Sequence, residues 1–183
     1  DHFISSSELG FQPSVRLGND YSCQADARTI LSSLKHHPVY RKSPNFENNA
    51  PIKIGVLNFI GEDERVRNYL SNIRKELRHS QFNVEFTTAE RPDEDSQYEI
   101  EQSVDRLRQQ NPHMIIVFVP GTPYDNDNDD DDDLYQSLKG YMVGNDVQSQ
   151  FIYEHTLEKE YALSNIILGI IAKTGNVPYV LEN

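Results

Sequence analysis

The run Met114-Ile115-Ile116-Val117-Phe118-Val119 constrains the fold of this 183-residue chain more than any other segment. Successive side chains of a strand point to opposite faces, so six apolar residues in a row require cover on both sides. That is the setting of a central strand in a parallel sheet with helices above and below. Asn111-Pro112 stops the preceding helical pattern, which isolates the run as an element of its own.

The flanking sequence supplies the partners that such a strand needs. Ile52-Lys53-Ile54-Gly55-Val56-Leu57 reads as a first strand, and residues 62–79 as a helix with Val66, Tyr69, Leu70, Ile73 and Leu77 on one face. Its early acids Glu62, Asp63 and Glu64 and its late bases Arg74, Lys75 and Arg78 suit the helix dipole. Residues 82–87 alternate as a strand, and Ser96 with Glu99 forms a capping box before a helix carrying Ile100, Val104 and Leu107. A third helix is expected from about Leu134 to Val143, with Leu134, Leu138 and Tyr141 toward the core. A strand follows from Gln150 to Glu154, then a long helix from Leu157 to Lys173 capped by Thr156 and stopped by Gly175. Residues 178–181 enter a last extended stretch. The alternation predicts an α/β, Rossmann-like, open and mostly parallel sheet of about four strands with helices on both faces. Such sheets bind ligands beyond the carboxyl ends of their strands.

Residues 1–50 lack sustained periodicity and read as a lead-in or linker, with one short helix near Ala27 to Leu34. The main domain is expected over residues 51–183. Without an initiator Met or a signal peptide, the chain reads as part of a longer protein. No apolar run reaches the roughly 20 residues that span a bilayer. Cys23 is the sole cysteine, which excludes a disulfide framework and fits a reducing cytoplasm. His36-His37 do not share a helical face and read as solvated loop residues.

The net charge of −12 argues against broad coating of a nucleic acid. Seven acids fall between Asp125 and Asp133, however, and the rest of the chain carries only about −5. A local anion site is compatible with that balance. The acidic segment itself reads as a solvated insertion, because it lacks the glycine and terminal glutamate of an EF-hand loop. No G-x-G-x-x-G, P-loop or G-x-S-x-G pattern occurs, which disfavours a dehydrogenase, a P-loop enzyme and an α/β-hydrolase. No acid/base pair or nucleophile stands out.

Four residues of the C-terminal third suit an anion. Tyr135 and Lys139 are four apart on one helix face, where the ammonium supplies charge and the tyrosine a hydroxyl and a ring for base stacking. Gln150 offers an amide donor and Lys173 a second ammonium. Several convergent donors distinguish a terminal phosphate from a hydroxyl end. Each residue alone has an ordinary structural explanation; their combination and order carry the reading.

That order resembles the MID domain of Argonaute proteins, of prokaryotic type. The resemblance lies in Tyr135-x-x-x-Lys139, in Ser149-Gln150-Phe151-Ile152, and in the run from Asn165 through Lys173 to Gly175. It extends loosely to Pro13–Gly18, Pro51–Val56 and the closing residues 176–181. The resemblance implies that the chain holds the 5′ end of a guide RNA or DNA. Tyr135 would stack on the first base and, with Lys139, Gln150 and Lys173, contact the 5′ phosphate. Gly121, Thr122, Pro123 and Tyr124 would form the first-nucleotide specificity loop. The PIWI domain of the same parent would be the neighbouring partner, and Mg2+ would join the guide phosphate in the full-length protein. The fragment itself would be a non-catalytic, cytoplasmic monomer without a membrane or a cofactor of its own.

Two features depart from the family pattern. Gly169 stands one turn before Lys173, where eukaryotic members often carry a base, and the Asp-rich insertion follows the specificity-loop segment. A mononucleotide or sugar-phosphate sensor or enzyme on the same sheet, and a docking domain with a decayed pocket, are the alternative readings.

Overall fold

The computed structural model of the chain describes residues 13–121 and 129–182, with only the backbone of 129–133. Its centre is a four-stranded sheet of β3 (Ile52–Asn58), β4 (Val84–Glu90), β5 (Met114–Val119) and β6 (Ser149–Tyr153). The spatial order is β4-β3-β5-β6 and every pairing is parallel. Helices α2 (Asp63–His79), α3 (Gln97–Arg108), α4 (Asp129–Gly144) and α5 (Glu160–Lys173) complete the α/β alternation expected from the sequence.

The run 114–119 occupies the interior position that its composition demands. Met114, Ile116 and Phe118 enter a core shared with α2 and α5, while Ile115, Val117 and Val119 enter a second core shared with α3 and α4. All six side chains are fully buried. Strand order reverses after β4, and right-handed crossovers then place α3 and α4 on the face opposite α2.

Residues 13–50 are packed against this sheet. Strands β1 (Ser14–Arg16) and β2 (Ser22–Gln24) form an antiparallel pair, and β1 also pairs with the terminal β7 (Val180–Leu181). Helix α1 (Ala27–Ser33) falls where the sequence predicts it, capped by Asp26, which accepts the Thr29 amide at 3.0 Å. Val15, Leu17, Ile30, Leu34 and Phe46 all join the core beneath α2 and α5.

Three boundaries differ from the expectations. Helix α4 begins at Asp129 rather than near Leu134, in keeping with the preference of acidic residues for the positive start of a helix. Strand β4 runs later than predicted, and its register with β3 shifts between Ile54 and Val56. The expected helix 157–173 is divided into a 3-10 turn, Glu154–Glu158, and then α5, with no side-chain cap from Thr156. Arg65 of α2 bonds the Glu158 carboxylate at 3.2 Å and reaches the Glu154 carbonyl at 3.5 Å, which links this turn to α2.

Candidate nucleic-acid interface

Strand β6 is an edge strand, with α4 on one face and α5 on the other. Its alternation therefore sorts the candidate residues. Gln150 and Ile152 point to the α5 side, where Ile152 is buried. Phe151 and Tyr153 point to the α4 side and pack against that second core.

On the α5 side, the Lys173 ammonium donates to Gln150 Oε1 at 2.8 Å and to the Ser149 carbonyl at 3.0 Å. Gly169, one turn earlier, makes space for this contact. A Cβ on Gly169 would lie 3.1 Å from Gln150 Oε1, so the amide occupies what a side chain there would fill. Gly169→Ala is accordingly expected to act in two opposite ways. The helix gains up to about 1 kcal/mol of intrinsic propensity, while the Gln150 amide is pushed off Lys173. Thermal unfolding should show an unchanged or raised Tm, and titration with 5′-phosphorylated oligonucleotide a weakened affinity.

On the α4 side, the Lys139 ammonium lies 4.8 Å from the centre of the Phe151 ring. Lys139 is also near enough to Lys173 to act on its protonation. The Lys173 pKa is held below the ordinary lysine value, first by desolvation of its ammonium and second by the Lys139 charge. Among the described residues, neither lysine has a carboxylate ion-pair partner. Two cations at one strand edge, neither ion-paired to a carboxylate among the described residues, favour an incoming anion. The Gln150 amide nitrogen, which donates to the Phe151 carbonyl at 3.4 Å, is a neutral donor beside Lys173.

Tyr135 differs from its expected placement. Its ring is only 6% exposed and stands edge-on to Phe59 and Phe151, with centroids 5.7 and 6.5 Å away. The buried face of α4 consists of Tyr135, Leu138 and Met142. Leu134 and Tyr141, expected in the core, are half-buried, and the Tyr141 hydroxyl donates to Asp105 at 2.8 Å. The cause lies across the interface: Phe59 and Phe151 offer aromatic edges to position 135, and α4 turns to meet them.

Sequence reasoning missed Asn176. It is buried, and its Oδ1 accepts the Ser43 amide at 2.7 Å. Its Nδ2 donates to the Ile171 carbonyl at 3.0 Å and to Thr174 Oγ1 at 3.2 Å. Thr174 donates in turn to the Ile170 carbonyl at 2.8 Å. With Gly175 in the left-handed region at φ 97°, this network fixes the end of α5, where Lys173 is attached. A lone Asn beyond a helix stop carries no sequence signal for such a role.

Of the specificity-loop residues, Gly121 is described: it has φ 82°, and its carbonyl accepts the His155 amide at 3.1 Å. Thr122, Pro123 and Tyr124 lie outside the described residues. The donor set around Lys139 and Lys173 does not suit Mg2+, since both are cations and the single amide oxygen among them is taken by Lys173. Among the described residues no group of three or more acidic, His or Cys side chains could hold a metal, and no helix is long and apolar enough to cross a membrane.

The sequence matches no protein-family model and no curated protein. The structure, however, superposes on Drosophila Piwi with a TM-score of 0.71 over 94% of this chain, at 13% identity. The chain has an Argonaute-type fold. Aquifex aeolicus Argonaute aligns over 94% of the chain with a TM-score of 0.62 at 18% identity. The same protein solved with externally bound siRNA gives 0.65 at 17%. The alignment takes in 23% of the Piwi chain and 24% of the siRNA-bound Argonaute chain, so this chain spans about a quarter of the length of these Argonaute-type proteins.

Proposed function

We propose that the chain acts as a MID domain, holding the 5′-phosphorylated end of a guide strand within an Argonaute-type protein and doing no chemistry itself. The observation that carries this reading is the Lys173–Gln150 contact at the β6 edge, with Lys139 near enough to act on the Lys173 charge and neither lysine ion-paired to a carboxylate among the described residues. The likeness of the fold to Argonaute and Piwi structures supports it. In this reading the two ammoniums and the Gln150 amide take the phosphate oxygens. Tyr135 must swing out from between Phe59 and Phe151 to stack on the first base. Gly121, Thr122, Pro123 and Tyr124 border that base, and a PIWI domain closes the remaining side. Guide RNA and guide DNA present the same terminal phosphate to this set.

The test is a titration with oligonucleotides that differ only in a 5′ phosphate or a 5′ hydroxyl. The phosphorylated strand should bind more tightly, and Lys139→Ala or Lys173→Ala should each reduce that preference about tenfold or more, since a hydrogen bond to a charged group contributes about 1.5–3 kcal/mol. Equal binding of both ends to the unmodified protein would overturn the reading. A free nucleoside monophosphate that competes as well as the oligonucleotide would instead favour a small-molecule sensor.

The lowered Lys173 pKa adds a sign to the pH dependence. In the free protein the folded state binds fewer protons than the unfolded state between the lowered value and the ordinary 10.5, so stability rises with pH across that window. A bound phosphate favours the charged ammonium and reverses this preference. Affinity should therefore fall as pH rises through the Lys173 pKa, earlier than for an ordinary lysine. Lys139→Met should move that fall to higher pH.

A further inference from the structure

The cations of this acidic chain are unevenly partnered. Arg16, Arg65, Arg91, Arg106 and Arg108 all make ion pairs with carboxylates. Arg67, Arg74, Lys75 and Arg78, all on α2, make none among the described residues. At helical spacing, positions 64, 67, 71, 74, 75 and 78 share one outward face, which thus holds four cations, Ser71 and, at its N-terminal end, Glu64. The axial rise from Arg67 to Arg78 is about 16 Å at 1.5 Å per residue. Lys42 continues the row beyond the helix, since its ammonium donates to the Gln81 carbonyl at 3.1 Å and lies 4.7 Å from the Phe82 ring.

Flat apolar surface runs beside the row. The Arg74 guanidinium sits 4.9 Å from the centre of the Phe86 ring. Arg67 stands at the rim of a cavity of about 340 Å³ between α2 and the β3–β4 pair, where Val56, Val66, Leu70 and Ala89 are among the lining residues. Arg91 lines the same cavity but is already paired with Asp63 at 3.3 Å. An added peptide strand is a poor fit beside it, because the β4 edge carries Glu85 and Glu90 and an irregular register.

We infer that this α2 face is a second nucleic-acid contact, which takes the phosphodiester backbone of a single strand along Arg67, Arg74 and Arg78 and seats a base in the adjoining cavity. Guanidiniums beside a flat apolar surface suit the alternation of phosphate and base in a single strand. The contact needs no terminal phosphate and is independent of Lys139 and Lys173.

A 5′-hydroxyl oligonucleotide isolates it. With the protein carrying Arg67→Gln, Arg74→Gln and Arg78→Gln together, affinity for this probe at low salt should fall tenfold or more. The slope of log affinity against log salt should shrink by about 2, from about 0.7 per phosphate on a single strand. The ratio of 5′-phosphate to 5′-hydroxyl binding should not change, whereas Lys173→Ala should alter that ratio alone, so the two sites fail separately. Because Arg74 also packs on Phe86, the double variant Arg67→Gln/Arg78→Gln provides a fold-neutral version with a slope change of about 1.4. Arg28→Gln/Lys159→Gln controls for net charge. An unchanged affinity and slope in the double variant, an equal loss in the charge control, or displacement of the oligonucleotide by polyglutamate at the same charge concentration would each overturn the inference.

Discussion

Phe118→Ala is expected to destabilise the protein by about 3–5 kcal/mol, the range for removing a buried aromatic ring from a core. Phe118 is fully buried in β5, the strand with neighbours on both edges and helices on both faces. Its ring stands perpendicular to that of Tyr69, with centroids 6.2 Å apart, which ties the sheet to α2. The strand is bounded by β3 and β6, so the cavity has no loop nearby that can collapse into it. Urea unfolding should show a lower midpoint with an unchanged slope, and Phe118→Leu should recover most of the loss. An unfolding free energy within about 1 kcal/mol of the parent would mean that the 114–119 run is not the centre of the core.

Asn176→Ala is expected to cost about 2–3 kcal/mol, because it orphans the buried Ser43 amide at one end and removes the bond to the Ile171 carbonyl at the other. For a domain of this size the Tm should fall by roughly 5–10 °C. A second effect separates this residue from an ordinary core position. Asn176 touches no proposed ligand atom, yet it fixes the turn after Lys173, so the preference for a 5′ phosphate should weaken at temperatures where the variant is still folded. A reduced Tm with an unaltered preference would make Asn176 a fold residue only. Phe118→Leu serves as the comparison, since it loosens the core without touching the end of α5.

The sheet was legible because its signals are local. Six apolar residues in a row, the helical spacing of Val66, Tyr69, Ile73 and Leu77, and Ser96 before Glu99 each describe their surroundings within one element. What escaped sequence reasoning depends on distant partners. On α4, Leu134-Leu138-Tyr141 and Tyr135-Leu138-Met142 are both acceptable apolar faces, and Phe59 and Phe151 decide between them from other elements. Asn176 acts through Ser43, 133 positions away. The packing of residues 13–50 was hidden for the same reason, since three-residue strands show no periodicity. At the candidate site, the residue types and their order were readable, but the Gln150–Lys173 contact and the part that Gly169 plays in it were not.

The pairing of β1 with β7 has a mechanical consequence. The strands are antiparallel, with Val15 opposite Leu181 and Arg16 opposite Val180, so the two ends of the described chain emerge side by side. Ser14 Oγ donates to Glu182 at 2.7 Å, Ser22 Oγ donates to the same carboxylate, and the Glu182 amide bonds the Ser14 carbonyl at 3.1 Å. Tension applied through these ends would peel the ladder open one bond at a time rather than shear it, starting at this clip. The two serine hydroxyls hold the Glu182 pKa below the usual carboxylate value, so the clip's contribution is present above that usual value and is lost as pH falls through the lowered one. Acid would thus lower the force at which the ends part, while the parallel sheet behind them, loaded only after β7 has come away, would keep the Lys139–Lys173 grip assembled through the first step of extension.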